Sequence, residues 1–147
     1  MSAAILKEVI EVAEAESSSI PVVPMTFTVN VVEQVINGAA TYTLVTTPTF
    51  QQLPYGENGT FYELIFEFAA GVTHAKFQNP ALSFFDPNAP AILLPPYNST
   101  IAKVLWANVD PLNSSRSYDY RVRALVNGQA ATHDPTVQND PPPVPTP

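Results

Sequence analysis

Four of the five aspartates in the sequence stand directly before a proline: Asp86-Pro87, Asp110-Pro111, Asp134-Pro135 and Asp140-Pro141. That dipeptide carries two kinds of chemistry. An aspartate side chain bonds its own backbone two residues on and proline pre-sets φ, so the pair is a natural turn former. The same carboxyl also lies one five-membered ring away from its own carbonyl carbon. The proline nitrogen that follows is a tertiary amide whose resonance is readily twisted away. A neighbouring acid, or a second carboxylate that activates a water, then has a bond within its reach to break. For Asp86 and Asp110 the turn reading is preferred.

Other chemistries are excluded by residue type. The chain has no cysteine, which removes disulfides, thiolate nucleophiles and Cys-ligated metals. Its two histidines, His74 and His133, are far apart and neither belongs to a ligand-spaced cluster, so no metal site and no cofactor are expected. There is no phosphate loop, nucleophile elbow or acid pair at informative spacing. Six basic residues against 13 acidic ones give a net charge of −7. Counterion release needs clustered Lys and Arg; here Lys7, Lys76, Lys103, Arg116, Arg121 and Arg123 are dispersed, which argues against nucleic acid.

One stretch carries a resemblance. Tyr118-Asp-Tyr-Arg-Val-Arg, then Asn127-Gly128, then Asp134-Pro-Thr-Val-Gln-Asn-Asp-Pro resembles the end of the bacterial DP-EP family of small β-sandwich proteins. Asp134-Pro135 matches the first motif of that name, and Asp140-Pro141 stands where the second has Glu-Pro. The resemblance spans residues 25–142, with its specific part confined to this last stretch. It implies self-processing at the Asp-Pro bond, catalysed by carboxylates, with a lysine able to trap the acyl group. Carried over, Asp134 is the scissile residue and Pro135 the new N-terminus. Asp119 is then the candidate for water activation, and His133 the candidate proton shuttle near neutral pH. Arg116, Arg121 and Arg123 stay protonated and cannot act as the trapping amine, which leaves Lys103 and Lys76.

The elements that must position these residues are legible in the periodicity. Residues 1–19 place Ile5, Val9 and Val12 at helical spacing with Glu8, Glu11 and Glu14 toward another face, a short amphipathic helix. Serines 17–19 and Pro21 to Pro24 form a linker. From Met25 the period becomes two. Phe27, Val29 and Val31 alternate with polar residues; Ala40–Thr46 follows after Asn37-Gly38, a strong hairpin signal. Tyr62, Leu64, Phe66 and Phe68 mark a third strand, Ala75–Phe77 and Leu82–Phe85 are short and proline-bounded, and Ile101–Val109 and Tyr118–Val126 flank the second half. Asn127-Gly128 is a second hairpin turn, and Thr136–Gln138 is expected as a short edge strand. Residues 50–62 and 86–98 read as loops.

Together these predict an all-β fold: an immunoglobulin-like antiparallel β-sandwich of about seven strands over residues 25–134. An N-terminal arm (1–24) precedes it and a Pro-rich arm (135–147) with six of the 16 prolines follows. Only 13% of residues are charged, against the usual ~25%, while 46% are hydrophobic. Trp106 is expected in the core. No apolar run is long enough to span a bilayer, and Glu8 and Glu11 interrupt any signal-peptide core, which points to a cytoplasmic or virion-associated protein. On strand 117–125, Asp119, Arg121 and Arg123 share one outward face, where pairing with Glu63 and Glu67 would make an ion-pair ladder with no catalytic role. Two functions follow. One is a non-catalytic assembly module whose arms contact neighbouring subunits, with Ile5, Val9, Val12 and Val137 as contact residues and a homo-oligomer or structural assembly as partner. The other is single-turnover self-cleavage at Asp134-Pro135.

Overall fold

The computed structural model describes residues 22–56, 59–93, 99–109 and 114–142. The amphipathic helix expected over residues 1–19, with Ile5, Val9 and Val12, lies outside them.

The described residues form ten strands in two five-stranded sheets, more than the seven expected. The first sheet runs β2-β1-β4-β7-β6, built from β1 (Val22–Ile36), β2 (Ala39–Thr47), β4 (Thr60–Phe68), β6 (Ala91–Leu93) and β7 (Ile101–Asn108). The second runs β3-β10-β8-β5, from β3 (Phe50–Leu53), β5 (Ala75–Phe84), β8 (Arg116–Val126) and β10 (Thr136–Asn139), with β9 (Gln129–His133) also on β8. The expectation of purely antiparallel sheets fails at two places: β1 runs parallel to β4, and β3 parallel to β10. The long β1 serves two partners, β4 along Val22–Val29 and β2 along Thr28–Ile36.

Local chemistry explains the joints. Both Asn-Gly pairs adopt left-handed backbone at both turn positions (Asn37 φ 52°, Gly38 78°; Asn127 49°, Gly128 79°), as a two-residue hairpin requires. The two segments Ala75–Phe77 and Leu82–Phe85 are one strand, β5, interrupted by a register shift between Phe77 and Leu82. Pro80 falls inside that gap, where it has no N–H to give a ladder. Residues 50–62 and 86–98 are not loops throughout, since they supply β3 and β6.

Inward residues of the two sheets make one core. Trp106 and Tyr120 are fully buried and Phe84 touches both rings, at 5.2 and 5.4 Å between centroids. Phe27 stacks on Phe66 at 4.7 Å, and Phe66 meets Tyr120 edge-on. A buried polar seam joins the sheets. Trp106 Nε1 donates to Asn139 Oδ1 (2.7 Å) and Asn139 Nδ2 donates to the Ala107 carbonyl (3.0 Å). Asn108 Nδ2 donates to the carbonyls of Leu53 (2.8 Å) and Asp140 (2.9 Å).

This seam fixes β10 in place. Thr136–Gln138 is therefore not an edge strand: β10 lies between β3 and β8 and extends to Asn139. Val137, expected as an arm contact, is fully buried in its own sandwich.

Candidate functional site on the outer face of the second sheet

The Asn127-Gly128 turn sets the register of everything around Asp134. Val126 faces Gln129, Val122 faces His133, and Asp119 faces Thr136. The same register runs on through the gap, so β9 and β10 are collinear along β8, with Asp134 opposite Arg121 and Pro135 opposite Tyr120. The Tyr120 N–H donates to the Pro135 carbonyl (3.0 Å), but proline has no N–H to return. The β8 ladder lacks one bond at that residue, and on the opposite side of the strand the Thr136 N–H donates to the Thr49 carbonyl, next to β3 (2.9 Å). The Asp134-Pro135 bond thus lies inside a β-ladder.

Alternation then sorts the side chains. Asp119, Arg121, Asp134 and Thr136 share the outer face. Arg121 grips Asp134 with a two-pronged contact, Nε to Oδ1 at 2.8 Å and Nη2 to Oδ2 at 3.0 Å. Hydrogen bonding to that guanidinium holds the Asp134 carboxyl below its ordinary range and raises Arg121 in turn. The side chains are 42% and 46% exposed, so water screens the pair and its stabilising effect is small. In the next row Thr136 Oγ1 donates to Asp119 Oδ1 at 2.6 Å. Asp119 and Asp134 are diagonal neighbours, about 7–8 Å apart across the strands. His133 faces the other way. Its partner Val122 is a core residue, and His133 Nε2 is buried without a hydrogen-bond partner.

The expected ladder to Glu63 and Glu67 does not form, because those residues are on β4 in the opposite sheet. Glu63 pairs with Lys103 at 3.6 Å, and Arg123 Nη2 donates to Gln78 Oε1 at 3.2 Å. Of the two lysines considered as an acyl trap, Lys103 lies on β7 of the first sheet. Lys76 is on β5 opposite Leu125, about 14 Å along β8 from the Arg121 row. Neither stands beside Asp134. Among the described residues no group of three or more His, Cys, Asp or Glu could hold a metal ion.

The arrangement brings Asp134 and Asp119 together with two partners, Arg121 and Thr136, that the motif did not point to. Chemically it holds Asp134 ionised with both oxygens engaged, and it occupies one oxygen of Asp119. The missed partnership had a signal: counting back from a two-residue Asn-Gly turn puts Arg121 opposite Asp134. Comparison with known proteins finds no family model and no curated protein that matches this chain.

Proposed function

We propose that the chain is a non-catalytic β-sandwich interaction and assembly module, immunoglobulin-like in arrangement, whose two arms contact neighbouring subunits of a filament, virion or surface structure. One observation carries the reading: both arms leave the same pole of the sandwich. Val22 pairs with Phe61, which pairs with Ala107, and the adjoining Asn108 holds the Asp140 carbonyl. The start of β1 and the end of β10, although on different sheets, thus lie at one end of the sandwich, so that residues 1–21 and 141–147 can engage one neighbour together. The Arg121 fork gives Asp134 a structural role in the same reading. Light scattering on the full chain and on a version lacking residues 1–19 is the test, with assembly lost on truncation as the supporting result.

The second reading is self-cleavage at Asp134-Pro135. It is favoured by the two carboxylates, Asp119 and Asp134, sharing one face in adjacent rows. Cleavage would leave the released piece held through β10 between β3 and β8, so native methods would not register it. Intact-mass spectrometry under denaturing conditions would: fragments 1–134 and 135–147 that vanish in Asp119→Asn support cleavage. A single full-length mass after days at mildly acidic pH excludes it.

A further inference from the structure

The outer face of the second sheet holds a second pattern, independent of the arms. Phe50 pairs with Thr136, Thr136 with Asp119, and the Phe85 N–H donates to the Asp119 carbonyl, so the four residues form one row across four strands. The row has a phenyl ring at each end, and these rings are 48% and 54% exposed. Three strand spacings separate them, roughly 14 Å. Arg121 lies over the Phe85 ring at 5.2 Å from its centroid and steadies it. Between the rings the surface is polar: Thr136, Asp119 and, one row along, Gln138 and Ser117, which are hydrogen-bonded to each other.

We propose that this face binds a neutral, hydroxyl-rich chain, a short stretch of oligosaccharide, laid across the row from Phe50 to Phe85. The charges on this face select that class. Arg121 and Asp134 neutralise each other, and Asp119 already accepts from a hydroxyl, as it would from a sugar. Asp119 keeps a negative charge between the rings that disfavours an anionic polymer, whereas a pyranose offers an apolar C–H face to each ring and hydroxyls to the carboxylate and amides between. Aromatic faces and a few convergent polar groups are the usual makings of such a site. The span requires several linked sugar rings, so short fragments bind weakly and longer chains bind well.

Affinity electrophoresis of the full chain through gels containing hydroxyethyl cellulose, mixed-linkage β-glucan, galactomannan or heparin tests this. Retardation by at least one neutral polysaccharide is expected, with affinity falling about tenfold or more in Phe50→Ala and in Phe85→Ala. Val35→Ala, at an exposed residue of the first sheet, serves as the unaffected control. The emission maximum of the buried Trp106 verifies that each variant is folded. Unchanged mobility in all three neutral gels overturns the proposal. So does retardation that survives both phenylalanine substitutions, or retardation by heparin alone. Because assembly is read from light scattering, failure here leaves the arms reading standing, and the reverse also holds.

Discussion

At the scale of single residues, the buried Asn139 and the exposed Asp134 bracket what one polar side chain does in this molecule. Asn139 closes the seam between the sheets with two hydrogen bonds in a region sealed from water. In Asn139→Ala, Trp106 Nε1 and the Ala107 carbonyl lose their partner, and leaving two buried groups unpaired costs about 2–4 kcal/mol. Urea denaturation followed by Trp106 fluorescence measures that loss. A change well under 1 kcal/mol would mean that water or another group replaces the amide. Asp134 behaves differently. Its carboxyl is held below the ordinary value by Arg121, so its contribution is present above the unfolded carboxylate range and lost as pH falls through the folded value. Asp134→Asn should therefore lower stability slightly at pH 7, and the difference should shrink as pH falls below the ordinary carboxylate range. A loss that stays the same from pH 7 into acid would show that the fork is not its cause.

At the scale of elements, turn residues fix the register and packing fixes the rest. Gly38 and Gly59 both have positive φ, but a Cβ at Gly38 meets nothing within 4 Å while one at Gly59 lies 2.9 Å from the Val109 backbone. Gly38→Ala costs the left-handed penalty alone, about 1–2 kcal/mol. Gly59→Ala adds a backbone collision and should cost distinctly more; thermal unfolding of the two variants compares them directly, and equal costs would contradict the close approach.

The same contrast explains what was legible in the sequence. Alternation in Phe27–Val31, Tyr62–Phe68 and Tyr118–Val126 made those strands plain, and the Asn-Gly turns made the two hairpins plain. β3 and β6 were hidden, because four- and three-residue strands do not complete a pattern and Pro54 and Pro95 flank them. The parallel pairs were hidden too, since nothing local in β1 says that it lies beside β4. At the candidate site, residue types pointed to Asp119 and Asp134. The role of Thr136 and the turning away of His133 depend on register and face. Position beside Asp134 in sequence placed His133 on the opposite face, as alternation demands.

At the scale of the whole molecule, the distribution of charge sets the arms apart from the sandwich. Residues 1–21 hold Lys7 and four glutamates, a net −3 of the chain's −7. In the helix expected from the sequence, Ile5, Val9 and Val12 would share a side apart from Glu8, Glu11 and Glu14, and the strand that follows begins at the same end of the sandwich where β10 finishes. Such a segment reaches a stable arrangement by covering its apolar side on a neighbour. If it does so, the size of the particle depends on concentration and on the arm. Multi-angle light scattering across a concentration series gives the mass directly. The full chain should exceed the 15.9 kDa of one copy and grow with concentration, while the version lacking residues 1–19 stays monomeric. A full chain that remains at 15.9 kDa at every concentration would contradict assembly through the arms.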